Sequence, residues 1–461
     1  MSPTYSLEFL NTIIKAYDVR GLVDKEITPD FTFAVGAAFA KFLEEEREPS
    51  TVVIGEDMRP SSPLLAQAFS DGVISQGMDV IRIGLASTDM LYFASGKLNL
   101  PGIMFTASHN PAAYNGIKMC KSGARPIGQE SGLLRIKDLI ANGVPIAPRS
   151  TGTVTQRELL TDYVDFLLSL FPDTNKKSGR KLKVVIDAGN GMAGYTAPAV
   201  MDRLNVEVIP MYFELDGNFP NHEANPIEAK NLVDLQKMVK KMGADIGLAF
   251  DGDADRCFLV DENAELVNPS SLTSLIAVRE LKAKPGSTII YNLISSQAVP
   301  EIVTEFGGIP VRSRVGHSYI KKLMAETGAI FGGEHSGHFY FADFWKADSG
   351  MLAALYALTE LAGTKKSLSA LLNPFHRYLA SGEINTKVSD TAAALQRIID
   401  TYSSTHTIDD LDGLTVTGKG YWFNVRPSNT EPLLRLNVEA GNAQTLAAVS
   451  AEVQGVISAG K

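Results

Sequence analysis

With 461 residues and 45% hydrophobic content, the chain is long enough for buried cores in about three or four domains. Its formal net charge of -9 argues against nucleic acid or an anionic membrane as the main partner, while leaving room for an anionic small molecule held by local basic groups. The two cysteines, Cys120 and Cys257, lie far apart and in no CxxC spacing, which argues against a disulfide framework or a zinc cluster and fits a reducing compartment.

The chain opens MSPTYSLEFLNTIIKAYDVRG, without a basic segment followed by an apolar run and a small-residue cleavage site, so no signal peptide is expected. No apolar run approaches the roughly 20 residues needed to span a bilayer. A cytoplasmic protein is the expectation. YDVRG, Tyr17 to Gly21, fits a core contact by Tyr17 or Val19 and solvated Lys15 and Arg20. TVVIG from Thr51, a helical stretch from Pro63 to Gln76, and DVIRIG from Asp79 read as strand, helix, strand.

The apolar run GIMFTA then delivers Ser108 and His109 into the loop SHNPAAYNGIK. A serine at a strand's carboxyl end in an α/β sheet stands where ligands bind, and its hydroxyl can accept a phosphoryl group. The same residues also fit a local side-chain turn before Pro111. GVPIAPRSTGT from Gly143 reads as a linker. KVVIDA from Lys183, a small-residue helix through Leu204, and VEVIPMYF repeat the strand–helix–strand rhythm. Gly189, Gly191 and Gly194 spell GxGxxG there, with Glu214 about 20 residues on, as in a dinucleotide fold. We read them as tight helix–sheet packing, since a nicotinamide-dependent dehydrogenase leaves the loops below unexplained.

Between ADIGLAF and CFLVD lies DGDADR, Asp251 to Arg256. Three carboxylates at alternate positions, with small residues between, can converge on one hard cation, and oxygen-only donors suit Mg²⁺. A calcium EF-hand is the decoy, with Glu262 at loop position twelve, but Arg256 holds the sixth position, where that turn needs glycine. DENAELVNPSS from Asp261 is a second linker, and STIIYN from Ser287 with a helix from Ser296 to Phe306 follows. VGHSYI places His317 before a helical run that it can cap. GGEHSGHFYF from Gly332 alternates Glu334, Ser336 and His338, which point one way in an extended loop and suit neighbouring sugar hydroxyls. His335 points the other way and reads as an ordinary histidine.

A third linker, LNPFHRYLASGE from Leu372, precedes a change of rhythm. EINTKV, a helix near Thr391 to Thr401, GLTVTG, YWFNV, LLRLNVEA and a terminal helix suggest a small α+β unit. Within it RPSNTEP from Arg426, with Arg435 after it, gathers donors suited to a phosphate. A capped turn with left-handed Asn429 fits the same residues. The expected fold is therefore three successive α/β domains with mixed sheets plus a smaller C-terminal α+β domain. The expected spans are 1–150, 154–261, 262–375 and 380–461.

Taken together, TASHNP, DGDADR, GEHSGH and RPSNTEP, in that order over essentially the whole chain, resemble the α-D-phosphohexomutase superfamily. The nearest likeness is to its bacterial phosphomannomutase/phosphoglucomutase branch. The resemblance implies four domains around a central cleft and transfer of a phosphoryl group between the C1 and C6 oxygens of mannose or glucose, through a hexose 1,6-bisphosphate. It implies that Ser108 is the phosphoserine and that Asp251, Asp253 and Asp255 hold Mg²⁺ with one phosphoryl oxygen on Ser108. Glu334 and Ser336 would read the sugar's 3- and 4-hydroxyls. Arg426, Ser428, Asn429 and Thr430 would hold the distal phosphate. Lys118, at the NGIK end of the serine loop, would be a candidate general acid/base. Arg20, His109, Arg256, His317 and His338 would line the site, and Tyr17 would close it near the C-terminal domain.

One departure stands out. Many relatives carry lysine in a DVKxS run where this chain has Ile294 in YNLISS, which puts one basic substrate contact in doubt. The neighbouring alternative, phosphoglucosamine mutase, usually carries glutamine at the place of His335 and DGDGDR in the metal loop, so a neutral hexose is favoured. A metal-dependent sugar phosphatase and a non-catalytic sugar-phosphate sensor are more distant readings. The partners expected are small-molecule sugar phosphates, with no nucleic acid and no membrane, and a monomer or small homo-oligomer.

Overall fold

The computed structural model describes residues 1–145, 147, 151–171, 180–427 and 433–459, which form four sheets. In the first, Thr51–Glu56 runs parallel to Asp79–Leu85 on one side and to Gly102–Phe105 on the other. Tyr114–Lys121 then pairs antiparallel with Gly102–Phe105 and with Asp18–Leu22. The strand Thr51–Glu56 is buried almost throughout, as an interior parallel strand covered on both faces must be. Helices Pro29–Glu45, Ser62–Ile74 and Thr88–Leu98 supply that cover.

The second sheet sets Ile246–Phe250 parallel to Leu182–Asp187, and that strand parallel to Val206–Met211. The third sets Thr288–Asn292 parallel to Ile309–Ser313 and Phe331–Gly333. Each carries antiparallel strands at one edge, so all three sheets are mixed, as expected. The fourth is antiparallel throughout: Leu379–Lys387, Leu433–Ala440, Tyr421–Pro427, Leu414–Gly418 and Thr407–Asp409. Helices Thr391–Tyr402 and Ala443–Ser458 accompany it.

The first sheet reaches past the boundary expected at 150–154. Val154–Gln156 pairs in parallel with Asp79–Leu85, because an open sheet edge leaves backbone groups that a passing segment can satisfy. The part of the Gly143 linker at 146 and 148–150 lies outside the described residues.

The largest core is continuous across the first three sheets, from Met104 and Phe93 through Tyr163 and Ile186 to Phe331 and Leu355. Buried Asp89 sits at this junction and accepts hydrogen bonds from Tyr163 at 2.8 Å and Ser349 at 2.6 Å. The C-terminal unit instead has a core of its own, built from Ile398, Val416, Phe423, Leu436 and Val453. It docks on the third unit through polar contacts. Buried Glu439 accepts from Gln297 N and from Trp422 Nε1, each at 2.8 Å. Val315 N donates to Asp412 at 3.1 Å, and Arg312 pairs with Asp409 at 2.6 Å. Among the described residues, no helix is long and apolar enough to cross a membrane.

Candidate active site

Parallel strands all end on the same side of a sheet, and the loops that leave those ends collect ligands. Three neighbouring strands of the first sheet end at Glu56, Leu85 and Phe105. Their loops carry Arg59, Thr88 and Ser108. In the second sheet Ile246–Phe250 ends directly on Asp251. In the third, Thr288–Asn292 and Phe331–Gly333 end on the 293–296 turn and on Glu334.

Close backbone approach lets these loops meet. A Cβ on Gly252 would strike the carbonyl oxygen of Ser108, and a Cβ on Gly191 would strike the backbone of Gly252. Glycine is required at both for steric reasons. Within the GxGxxG run, Gly191 packs against the carboxylate loop, and Gly194, in the helix Ala193–Met201, packs against the backbone of Phe213 just past the strand Val206–Met211. Arg256 and His338 form an antiparallel bridge, and Cys257 N donates to Gly337 O at 3.1 Å, so the carboxylate loop and the Glu334 loop are stitched together.

Ser108 is buried and adopts a left-handed backbone, with φ 49°. That region costs energy for a non-glycine residue and recurs at functional positions. Its Oγ donates to Asp251 Oδ2 at 2.8 Å and accepts from Arg256 Nη2 at 3.0 Å. Arg256 Nε also donates to Asp251 at 2.8 Å. His109 Nδ1 lies 3.2 Å from Ser108 Oγ and accepts from Arg256 Nη2. Burial, with Arg256 and Arg20 beside it, pushes the His109 imidazole down to about 2, so the ring is neutral. Arg20 donates to Asn110 Oδ1 at 2.6 Å and pairs with Asp18 at 2.5 Å, which places it against the same loop.

Asp251, Asp253 and Asp255 are buried and each offers a carboxylate oxygen within 4.8 Å of the others. Lys118 Nζ bridges Asp253 and Asp255 at 2.6 Å each. Burial works against ionisation of both acids, but the ammonium overcomes it and holds them below the usual carboxylate range. The same pair raises Lys118 above an ordinary lysine despite its burial. Burial pushes Asp251 up to about 7. Thr88 Oγ1 donates to Asp253 Oδ2 at 2.6 Å. A hard divalent cation fits this donor set: all donors are oxygen, Asp253 Oδ1 and Asp255 Oδ1 make no hydrogen bond among the described residues, and Lys118 already stands there as a cation.

Glu334 is buried and accepts from Tyr340 OH at 2.5 Å, from Asn292 Nδ2 at 3.3 Å and from Gly316 N at 3.3 Å. Ser336 Oγ and His338 Nδ1 are 2.9 Å apart, and His338 Nε2 lies 3.5 Å from Asp255 Oδ1. Asp255 outweighs the effect of burial and raises the His338 imidazole. His335 Nδ1 lies 2.9 Å from Asn292 Nδ2, the same amide nitrogen that donates to Glu334. Burial and the nearby Arg426 push His335 down to about 3, so it is a neutral ring facing the C-terminal unit. Tyr17 packs edge-on to Tyr319, with centroids 6.3 Å apart, which joins the first unit to the third. Ile294 is buried and its N–H donates to Asn292 Oδ1 at 3.2 Å.

Arg426 and Arg435 are directly opposed on neighbouring strands. They share Glu383, at 3.4 Å from Arg426 and 3.5 Å from Arg435. The Nε groups of both are buried and make no hydrogen bond among the described residues. Two guanidiniums held by one carboxylate leave a net positive charge for an anion. Ser428, Asn429, Thr430 and the side chain of His317 lie outside the described residues.

Sequence reading missed Arg59, Thr88, Asn292, Tyr340 and Glu383, all of which hold other site residues. Arg59 and Thr88 carried a usable signal, since each follows a strand that reads as parallel and so lies at the ligand side of the sheet.

The chain matches four families in succession. These are the Phosphoglucomutase/phosphomannomutase alpha/beta/alpha domains I, II and III over residues 11–145, 161–264 and 268–378, and the C-terminal domain of the same name over 383–456. It is 39% identical over 439 residues to a phosphomannomutase of Escherichia coli K12, covering 93% of this chain and 95% of that one. It is 38% identical over 441 residues to a phosphomannomutase of Vibrio cholerae, covering 93% and 94%. A crystal structure of a phosphoglucomutase/phosphomannomutase family protein from Burkholderia thailandensis superposes with a TM-score of 0.88 at 30% identity, covering 97% and 98%.

Proposed function

The chain belongs to the phosphoglucomutase/phosphomannomutase family and is a phosphohexomutase, and we propose that Ser108 is the group that carries the phosphoryl between the two ends of its sugar. The observation that carries this reading is the left-handed Ser108, its Oγ 2.8 Å from Asp251 in a loop with three buried carboxylates. The sugar's free hydroxyl oxygen bonds to phosphorus as the phosphorus–Oγ bond breaks, and the hydroxyl proton passes through a neighbouring group to Oγ. The product of this half is a hexose 1,6-bisphosphate. After it turns over in the cleft, the reverse transfer restores phosphoserine and releases the isomer. Arg256, donating to Oγ, faces charge that develops there. Lys118, held as a cation by two carboxylates, is the proton-bearing group of the loop.

Asp251, Asp253 and Asp255 would hold Mg²⁺, with a phosphoryl oxygen on Ser108 completing the set. Bound there, the ion neutralises charge on the phosphoryl oxygens. Glu334 and Ser336 bind sugar hydroxyls, and Arg426 and Arg435 take the distal phosphate. Because the C-terminal unit has its own core and touches the third unit through polar contacts, its arginines can follow either end of the sugar as a lid.

The test is conversion of mannose 1-phosphate and of glucose 1-phosphate to the 6-phosphates by one preparation, with Mg²⁺ and a trace of the matching 1,6-bisphosphate. Both sugars should turn over, because the groups assigned to the hydroxyls read positions the two share. Inorganic phosphate released at the isomerisation rate would instead identify a phosphatase. Replacing Glu334 by glutamine keeps its shape and removes its charge. It should raise KM for the sugar phosphate about fivefold and leave kcat nearly unchanged, since charge-assisted hydrogen bonds exceed neutral ones by about 1 kcal/mol.

A further inference from the structure

Arg59 is the largest fully buried side chain of the described residues, and it belongs to no motif used above. It lies between the strand Thr51–Glu56 and the helix Ser62–Ile74. Among the described residues, its guanidinium makes four hydrogen bonds to main-chain carbonyls of residues 108–114. Nη2 donates to Ser108 O at 2.9 Å and to Asn110 O at 2.7 Å. Nη1 donates to Pro111 O and to Tyr114 O, each at 2.9 Å. Nε lies 3.2 Å from Asp57 Oδ2, and Asp57 Oδ1 accepts from Arg59 N at 3.0 Å and Ser62 Oγ at 2.7 Å. The ring of Phe219, from the second unit, covers the guanidinium at 5.1 Å.

A buried charge is costly unless it is paired and fully hydrogen-bonded. Here the pairing fixes one object, the backbone of residues 108–114. The Ser108 carbonyl is held between Arg59 and the backbone of Gly252, so the peptide that follows the strained serine cannot rotate. With that carbonyl fixed, Ser108 Oγ is turned towards Asp251 and Arg256. Only a planar fork can reach four carbonyls at once, whereas an ammonium is a point charge with three donors.

We propose that Arg59 is a positioning residue that presets the Ser108 loop and thereby decides whether the carried phosphoryl passes to sugar or to water. The inference rests on the reading of Ser108 as the carrier. In the leak, a water oxygen bonds to phosphorus as the phosphorus–Oγ bond breaks, one water proton goes to Oγ, and inorganic phosphate leaves. Loosening the loop penalises the sugar hydroxyl, which must be aligned, more than water, which approaches from many directions.

The experiment compares wild type with Arg59→Lys in the full-length enzyme, measuring kcat, KM, phosphate released per turnover, and the phosphate on Ser108 by mass spectrometry. The variant should lose about 100-fold in kcat, the scale of a misplaced reacting group. KM should stay within about threefold and phosphate released per turnover should rise at least tenfold. A purely structural role lowers the folded fraction, so transfer and leak fall together and their ratio stays at the wild-type value; that result overturns the proposal. Should Arg59→Lys not fold, Phe219→Leu loosens the guanidinium from a half-buried position, and the same ratio decides: a rise supports the proposal and no change overturns it. Absence of phosphate on Ser108 in wild type under turnover refutes the carrier reading itself, which separates the two failures.

Discussion

Replacing Ser108 by alanine removes nearly all mutase turnover, by roughly four orders of magnitude or more, the scale seen when a covalent carrier is deleted. The size follows from the division of labour in the site. On the proposed reading, Arg256 and the aspartates serve a phosphoryl that must first be attached to the enzyme, and Glu334 holds the sugar that receives it. Without Oγ no two-step path exists, and direct transfer between oxygens at opposite ends of one sugar is geometrically excluded. The variant should fold, since alanine keeps the backbone hydrogen bonds from Ser108 N to Thr106 Oγ1 at 2.9 Å and from Arg59 to the carbonyl. The measurement pairs turnover with binding of the sugar phosphate: binding should persist while turnover disappears. Retained turnover would sink the carrier assignment.

The second large effect belongs to Asp253. Its Oδ2 is shared by Lys118 and Thr88, and its Oδ1 makes no hydrogen bond among the described residues. Asp253→Asn removes one of three charges that define the cation site. The Mg²⁺ concentration for half-maximal activity should rise at least about 100-fold. Chelation of wild type should abolish turnover, and restored Mg²⁺ should recover it. A direct binding titration of the metal should show the same loss in the variant, with the unfolding midpoint of the metal-free protein little changed. Equal metal affinity in the two proteins would remove Asp253 from the set.

Much of this arrangement could be read from residue order. The strand before Ser108 announces itself as GIMF, apolar throughout, because an interior strand covered on both faces has no face for water. The carboxylate loop is legible because three acids within five residues, set between two apolar strands, repel one another unless a cation sits among them. His335 is different. Alternation sets it apart from Glu334, yet both meet the Asn292 amide nitrogen, and its surroundings, Arg426 and Asn292, come from two distant segments. The place of Arg59 just after a strand pointed to the ligand side of the sheet, but what it holds could not be read for a similar reason. Its partners are carbonyls, which every residue possesses, so no side-chain pattern marks them. Val154–Gln156 joins the first sheet by backbone pairing at an open edge, and backbone pairing leaves little trace in side-chain chemistry.

The continuous core beneath the first three units has a further meaning for how this protein tolerates change. Phe93, Tyr163 and Leu355 belong to different units yet pack in one cluster, so these units draw on a common reserve of stability. A substitution that weakens one leaves less margin for change in the other two. The C-terminal unit, standing on its own core, is free to vary at a separate pace. Recombination between relatives should therefore respect one seam, near residues 373–379, more readily than the two seams upstream.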